Sequence, residues 1–256
     1  MKMSRACGRP GRGAVLRGGP CQPAALGWPM KLLLIRHGQS ENNVIEHLPD
    51  YAQRRLPDPP LTPLGRSQAG HTAAHLAAQA HSVTHLYTSL MTRAVQTAAP
   101  FTQALGLPAH GLAAAYEYGG LTTGPAGHFA PVLGRDHTSL QADCPALVWP
   151  QELTGQPWDG GAEAWEEVGF ARRAAGVLAE LRGRHAGPDT LALITHHDFA
   201  GALIRAALGW SGAGALPTFR LAHLSTALLK VPEDGRPGTL HWLNRVDHLP
   251  PAWVLH

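Results

Sequence analysis

Short, mostly apolar runs that end abruptly in charged or polar residues constrain the fold of this chain most. Residues 32–35 are followed at once by Arg36, and residues 190–195 are followed by two histidines. Longer Ala-rich stretches, with apolar residues near helical spacing, separate such runs. Strands that alternate with helices in this way are typical of a mostly parallel sheet. The sequence therefore predicts an α/β fold, a three-layer sandwich whose mostly parallel central sheet has helices on both faces.

The same periodicities place the individual elements along the chain. We expect strands over residues 31–36, 83–88, 190–195, 221–231 and 239–243. We expect helices over residues 61–80, 90–105, 162–184 and 200–208. Residues 119–158 are rich in Gly and Pro and show little periodicity, which predicts a long loop or lid with short helices.

The first 29 residues differ in composition from the rest of the chain. They contain no Asp or Glu, are dense in Gly, Pro and Arg, and have no hydrophobic period. We interpret residues 1–29 as a disordered basic tail, or as the product of a start codon placed too early before Met30. A basic arm that touches nucleic acid or anionic lipid, or a transit peptide, is the functional alternative. We expect residues 30–256 to form one domain.

Composition excludes several classes of protein and partner. With 44% hydrophobic and 15% charged residues, the chain is neither disordered nor a coiled coil. The net charge of +3 comes from the tail, because residues 30–256 hold 16 of the 21 basic residues and all 18 acidic ones. This balance predicts no nucleic-acid partner. No apolar run is long enough for a bilayer, which predicts no membrane partner. Three cysteines cannot build a disulfide framework, so we expect a cytoplasmic protein.

The residues that follow the predicted strands suggest the chemistry. Arg36 and His37 follow the first strand, Arg93 lies one turn into the helix after the second, and His196 follows the third. Because ligands of such sheets bind beyond the carboxyl ends of the strands, these side chains are expected to converge. Guanidinium groups match phosphate oxygens in pairs, so the pattern predicts a phosphate site. The chain has neither a P-loop nor a dinucleotide fingerprint.

A histidine in such a site has two possible roles. It binds phosphate as imidazolium, or it attacks phosphorus as a neutral nucleophile. The second role also needs a carboxylic acid with a raised pKa to protonate the leaving oxygen. Glu117, between two tyrosines and after a short apolar stretch, is the best candidate for that acid.

Five ordered blocks carry a resemblance to a known family. They are LIRHGQSENN at 34–43, LTPLGRSQA at 61–69, TSLMTRAVQTA at 88–98, LITHHDF at 193–199 and HL at 248–249. Their order and spacing resemble the histidine phosphatase superfamily, with its phosphoglycerate-mutase-like fold, over about residues 30–250. The resemblance implies His37 as the phosphorylated nucleophile and Glu117 as the proton donor. It implies a phosphate pocket of Arg36, Arg93 and His196, with Asn43 at its rim, and neither metal nor cofactor.

The chain departs from the family pattern at two places. The family usually has glycine directly after the second histidine, where this chain has His197, whose side chain would narrow the pocket or add a donor. The acid block also varies within the family. One alignment places Ala115 at the acid position, and the other places Glu117 there. We favour the second because it supplies a carboxylate.

Several functions are compatible with these residues. We expect a phosphomonoester hydrolase that acts on a small phosphorylated metabolite. A mutase on the same chemistry and a non-catalytic phosphate-binding module are the alternatives. The mutase is less favoured because Arg135 is the only Arg or Lys between Glu117 and Leu153, and a single arginine holds a second anionic group weakly. The pattern does not indicate an oligomeric state.

Two sequence patterns could indicate a metal site, but both support a metal-dependent protein less well than the blocks above support a phosphatase. His71 and His75 have a spacing that zinc sites use, but no carboxylate pattern accompanies them, so we expect a partly exposed helix face. The dipeptide His197-Asp198 is found in metal-dependent phosphohydrolases, yet those are all-helical and here it follows a strand.

Overall fold

The structure, a computed structural model, describes residues 29–79, 83–125, 127–163, 166–185, 187–210 and 217–255. The strands are β1 (Met30–Arg36), β2 (His85–Ser89), β3 (Ala109–Leu112), β4 (Thr122–Thr123), β5 (Ala130–Pro131), β6 (Leu147–Val148), β7 (Thr190–Thr195), β8 (Thr226–Val231) and β9 (Thr239–Arg245). The α-helices are α1 (Glu41–Ile45), α2 (Tyr51–Arg54), α3 (Pro63–Ala78), α4 (Thr92–Leu105), α5 (His137–Asp143), α6 (Glu167–Arg184) and α7 (His197–Ala207). Two 3₁₀ turns cover Gln151–Leu153 and Pro251–Trp253.

The central sheet has seven strands in the order β6-β3-β2-β7-β1-β8-β9. The five strands from β6 to β1 run parallel, whereas β8 and β9 are antiparallel to their neighbours. The sheet is therefore mostly parallel, as the sequence predicts. Strands β4 and β5 form a separate two-stranded sheet.

Helices cover both faces of this sheet, and β1 shows why. Its side chains alternate between the two faces, as strand geometry requires. Leu32 and Leu34 pack in one core with residues of α6 and α7, whereas Leu33 and Ile35 pack in a second core with residues of α3 and α4. All four are almost completely buried. The predicted three-layer sandwich is confirmed.

Three of the predicted element boundaries are wrong by three residues or more, and the others differ by at most two residues. Helix α6 begins at Glu167 rather than at residue 162, because Glu163 lies outside the helix and binds Arg173. Helix α7 begins at His197 rather than at residue 200, directly after β7. Strand β8 begins at Thr226 rather than at residue 221, because Leu224 has a φ of 55° and turns the chain.

The segment 119–158 contains more structure than the predicted loop with short helices. It holds the two-stranded sheet, α5 and the edge strand β6. The sequence prediction also missed β3, which pairs with β2. Both missed strands of the central sheet are short, four and two residues, which is too little to display an alternating pattern.

No helix in the described parts of the chain is both long and apolar enough to cross a membrane.

The proposed domain boundary at residue 30 gives the first testable prediction. Residues 1–28 lie outside the described residues, and Met30, only 1% exposed, is the first residue of β1 and pairs with Val231. A chain that begins at Met30 is expected to keep the melting temperature and turnover of the full chain, because residues 1–29 have no apolar period with which to pack.

Thermal melts and kinetics of the two chains check this prediction. A chain that begins at Leu33 is the matched control, and it should be strongly destabilised because it also lacks the buried side chains of Met30 and Leu32. A loss of several degrees on removing residues 1–29 alone would show that the tail contributes to the folded domain.

Candidate active site

A cavity of about 560 Å³ opens at the carboxyl ends of β1 and β2, beside the first turn of α7. Five of the six predicted site residues line it. They are Arg36, His37, Asn43, Arg93 and Glu117. These residues lie far apart in the sequence and meet because parallel strands end at one edge of the sheet. The predicted convergence therefore occurs for five of the six predicted site residues.

His37 follows β1 and is only 3% exposed. Its Nδ1 lies 2.7 Å from the carbonyl oxygen of Gly38. Since a carbonyl only accepts hydrogen bonds, Nδ1 carries the proton, and Nε2 presents a lone pair. The guanidinium of Arg93 donates from Nε to this Nε2 at 3.1 Å. The ring is thus fixed with Nε2 toward the cation of Arg93.

The surroundings of His37 hold its pKa well below the usual value of 6.5. Burial is the main cause, because it disfavours the charged ring, and the positive charges of Arg93 and Arg36 act in the same direction. His37 is therefore neutral at pH 7, which is the form that has a nucleophilic nitrogen.

The two predicted arginines, Arg36 and Arg93, both bring positive charge to the cavity. Arg36 donates from Nη1 to the carbonyl oxygen of Leu221 at 2.6 Å, and its buried Nε has no hydrogen-bond partner among the described residues. Arg93 lies in the first turn of α4, where Asp58 accepts hydrogen bonds from the backbone and side chain of Thr92 at 3.0 and 2.6 Å. Burial lowers the pKa of both arginines, but arginine keeps its charge in proteins.

His196 is the predicted site residue that does not line the cavity. It is fully buried, and its ring lies 5.2 Å from that of His37, measured between centroids. Its Nε2 lies 2.9 Å from the hydroxyl of Ser89, and its Nδ1 has no hydrogen-bond partner within the described part of the structure. Burial holds its pKa well below 6.5, so this ring is also neutral.

Glu117 sits at the N-terminus of α7. Its carboxylate accepts hydrogen bonds from the backbone N–H groups of Tyr118, Asp198 and Phe199 at 2.9, 3.1 and 3.1 Å. Burial nevertheless raises its pKa above the usual 4.5, and the nearby charge of Asp198 adds to the shift. The residue at the other possible acid position, Ala115, is completely buried. Position 117 is thus the one that places a carboxyl group on the cavity.

Arg173 of α6 holds the loop that carries Glu117. It donates to the backbone carbonyls of Ala114 and Tyr116, both at 2.8 Å, and its guanidinium lies 3.5 Å from the centre of the Tyr116 ring. It also forms a largely buried ion pair with Glu163 at 2.6 Å, and Glu163 accepts from the N–H of Gly119 at 3.1 Å. These contacts fix the backbone on both sides of Glu117.

Comparison with known proteins identifies the family of the chain. The family model of the histidine phosphatase superfamily (branch 1) matches residues 32–245. The chain belongs to the histidine phosphatase superfamily. None of the curated protein sequences compared with the chain matches it.

Solved structures of similar fold include several phosphatases. A phosphoserine phosphatase from Entamoeba histolytica, in complex with 3-phosphoglyceric acid, is 21% identical, with a TM-score of 0.57 over 86% of this chain and 100% of that one. A mycobacterial glucosyl-3-phosphoglycerate phosphatase is 24% identical, with a TM-score of 0.54 over 84% and 99%. Bacillus stearothermophilus YhfR is 21% identical, with a TM-score of 0.54 over 86% and 98%. These likenesses show a common fold.

Within this histidine phosphatase superfamily member, Asn43 lies in α1 and its side-chain oxygen is already engaged. That oxygen accepts from the N–H and the hydroxyl of Ser40 at 3.1 and 2.6 Å, and its amide donates to Glu46 at 3.0 Å. His197, which replaces the family's usual glycine, lines the cavity as the first residue of α7. Its Nδ1 lies 3.3 Å from the carbonyl oxygen of Leu221, the same oxygen that binds Arg36.

The glycine of the first family block, Gly38, is required because the loop after His37 approaches the first turn of α3 closely. A Cβ atom on Gly38 would lie 2.6 Å from the carbonyl oxygen of Gly65, and one on Gly65 would collide with the carbonyl of Gln39. The loop after His37 therefore rests directly on the start of α3. This contact fixes the backbone that holds the His37 ring.

The expectation that only Arg135 is available for a second anionic group is wrong. Arg135 does not line the cavity but binds Asp143 and the carbonyl of Ser139. Arg55 and Arg220 line it instead, from segments outside the one considered. Arg55 donates to the backbone and side-chain oxygens of Thr122, both at 2.9 Å.

The sequence reasoning also missed His223. Its ring lies 5.7 Å from that of His37, and its Nδ1 donates to the backbone carbonyl of His37 at 3.3 Å. Burial lowers its pKa to about 3, so it stays neutral. A lone histidine within an apolar stretch carries no sequence signal of this contact.

His71 and His75 behave as the sequence suggests, as part of a helix face. His71 lies 2.6 Å from the backbone carbonyl of His248, and the His75 ring stacks on that of His248 at 5.0 Å.

Proposed function

We propose that the protein is a phosphomonoester hydrolase that acts through a phosphohistidine intermediate on a small phosphorylated metabolite. One observation carries the proposal. The neutral ring of His37, with its proton fixed on Nδ1, meets the guanidinium groups of Arg36 and Arg93 on a cavity that also holds the carboxyl group of Glu117. Nucleophile, charge stabilisation and general acid thus share one site.

In the first step, Nε2 of His37 attacks the phosphorus atom of the bound ester. The bond from phosphorus to the ester oxygen breaks, and Glu117 gives its proton to that oxygen, so the product leaves as an alcohol. The raised pKa of Glu117 favours the protonated form that this step needs. Arg36 and Arg93 stabilise the negative charge on the transferring group.

In the second step, water attacks the phosphohistidine. Glu117, now a carboxylate, accepts a proton from that water, the bond from nitrogen to phosphorus breaks, and inorganic phosphate leaves. The cycle restores neutral His37 and protonated Glu117. No metal is needed, because the two arginines supply the positive charge.

We propose supporting roles for His196 and Asn43. The unpaired Nδ1 of buried His196 leaves one ring nitrogen for a phosphate oxygen. Asn43 positions the rim of the cavity through Ser40 rather than binding phosphate directly, since its amide oxygen is already engaged. In the cytoplasm, the expected location, the partner would be the small phosphorylated substrate, without nucleic acid or membrane.

Release of inorganic phosphate from a panel of phosphorylated metabolites tests the proposal. We expect turnover of at least one monoester, with no ATP requirement. A folded chain that binds phosphate compounds but releases phosphate from none would instead favour the non-catalytic module.

The choice between hydrolase and mutase gives the second prediction. Arg55 and Arg220 offer cations for a second anionic group, and the similar Entamoeba and mycobacterial phosphatases are named for phosphorylated acids. Mutase action also requires the intermediate to stay dry. Here Arg220 is exposed, and the carboxylates of Glu46 and Asp198 also line the cavity, so water has access. We expect hydrolysis to dominate.

Hydrolysis of p-nitrophenyl phosphate and isomerisation of 3-phosphoglycerate are compared on the same preparation. Isomerisation more than about tenfold faster than hydrolysis, about 1.4 kcal/mol in barrier, would reverse the assignment.

The third prediction concerns metal removal. Because Arg36 and Arg93 supply the charge that a divalent ion supplies in other phosphatases, EDTA is expected to leave turnover within about twofold of its starting value. The measurement is initial rates before and after dialysis against EDTA. Loss of turnover that magnesium or zinc restores would contradict the arginine-based mechanism.

A further inference from the structure

A second cluster of titratable side chains lies at the amino ends of the strands, on the side of the sheet away from the cavity. His85 is the first residue of β2, Asp189 directly precedes β7, and His185 follows the last turn of α6. One potential ligand atom from each of the three lies within 4.8 Å of the other two. Arg93 and His196 follow the other ends of β2 and β7, so roughly 20 Å of strand separates the two sites.

The distances within this cluster approach those of a metal site. Nδ1 of His185 lies 3.0 Å from the Asp189 carboxylate, and Nδ1 of His85 lies 3.9 Å from the same oxygen. Tetrahedral zinc with nitrogen and oxygen ligands at about 2.0–2.2 Å places neighbouring ligand atoms roughly 3.3 Å apart. Side-chain shifts of about 1 Å are enough to reach that geometry.

Tyr87 gives the buried histidine the outer contact that metal-bound histidines have. Its hydroxyl lies 2.7 Å from Nε2 of His185. When that Nε2 carries the ring proton and donates it to Tyr87, the lone pair of Nδ1 faces Asp189. Two acceptor atoms then meet at 3.0 Å, an arrangement that a cation between them would stabilise, whereas without a cation the ring takes the other tautomer, in which Nδ1 donates to Asp189 and Nε2 accepts from the hydroxyl of Tyr87.

The charges around the cluster also permit a cation. The rings of His85 and His185 lie 4.2 Å apart, so one ion between them and Asp189 can contact both. The cluster sits at the C-terminus of α6, where the helix dipole attracts positive charge. The adjacent Arg184 opposes a cation, but it pairs with Glu180 at 2.7 Å.

We propose that His85, His185 and Asp189 bind a divalent transition metal, zinc by its ligand chemistry, with water as the fourth ligand. Two imidazoles and one carboxylate are a ligand set that zinc accepts. The ion joins the start of β2, the start of β7 and the end of α6. Its role is therefore to stabilise the fold, separately from the phosphatase chemistry proposed above.

Zinc titration of the full, metal-stripped chain tests this site by calorimetry. We expect one tight site in the wild type, and a loss of affinity of at least about tenfold in both His85→Gln and Asp189→Asn. Zinc at a hundredfold excess over Kd should raise the melting temperature of the wild type by about 5–10 °C, and not that of either variant.

Two controls make the result decisive for a chain with 16 histidines. The double variant His71→Gln/His75→Gln removes two histidines of α3 that are not part of the proposed site, and it should bind zinc like the wild type. Turnover of p-nitrophenyl phosphate confirms that each variant is folded. The absence of a tight site, wild-type affinity in the His85 and Asp189 variants, or equal loss in the His71/His75 variant would overturn the proposal.

Discussion

The variant His37→Ala is expected to lose at least about 10⁴-fold in turnover while the chain stays folded. The reason is that, in the proposed mechanism, the phosphoryl group transfers to Nε2 of His37, which Gly38 and Arg93 hold at the cavity. Water replaces it poorly, because Arg36 and Arg93 bind phosphate but do not supply a nucleophile. Steady-state kinetics and a thermal melt of the variant check both parts.

Trapping the intermediate identifies the atom that is modified. Wild-type protein quenched during turnover of a radiolabelled monoester should carry a phosphoryl adduct that is labile in acid and stable in base. His37→Ala should carry none, whereas His241→Ala, an exposed histidine of β9, should be labelled like the wild type. Normal turnover in His37→Ala, or the absence of an adduct in the wild type, would refute the mechanism.

The part of the fold that was predictable from the sequence is the part with strong periodicity. Strands β1 and β7 are buried on both faces, so their sequences are continuous apolar runs that stand out. Strand β6 has only two residues and β3 only four, so no alternation is visible in either. The start of α7 was misplaced because its first turn is His197-Asp198, polar residues that face the cavity instead of the core.

The same distinction holds for the candidate site. Arg36, His37, Arg93 and His196 were predictable because a general rule connects strand ends to the ligand edge. Arg55 and Arg220 reach the cavity from segments whose positions depend on tertiary packing, such as the contact of Arg55 with Thr122. Arg173, which holds the Glu117 loop, looks from sequence like any charged residue of an amphipathic helix. The local sequence patterns used for prediction do not contain information about contacts between residues that are far apart in the chain.

The variant Glu117→Gln is expected to separate substrates by their leaving groups. An alkyl phosphate has a leaving oxygen that needs a proton, so its kcat/KM should fall by about 10²–10⁴-fold when the acid is replaced by an amide. The p-nitrophenolate ion leaves without a proton, so kcat/KM for p-nitrophenyl phosphate should fall by less than about tenfold. The parameter kcat/KM is the right one, because it ends with formation of the phosphohistidine and excludes the later attack by water.

The pH dependence of the wild type gives the same test without a mutation. Burial raises the pKa of Glu117, so the group stays protonated to a higher pH than an ordinary glutamate. The kcat/KM for alkyl phosphates should therefore fall as pH rises through that pKa, because the carboxylate cannot donate a proton. For p-nitrophenyl phosphate, the decrease in kcat/KM over the same pH range should be small. On the acid side, turnover should persist well below pH 6.5, because His37 stays neutral there.

Asp198→Asn is the matched control for this experiment, because it removes a different and more exposed carboxylate from the same cavity. The negative charge of Asp198 raises the pKa of Glu117, so its removal should move the alkaline limb to lower pH. At a pH where Glu117 is protonated in both chains, Asp198→Asn should not produce a loss that depends on the leaving group. Equal losses for both substrates in Glu117→Gln would instead mean that Glu117 only caps α7, through the N–H groups of Asp198 and Phe199, and that another group donates the proton.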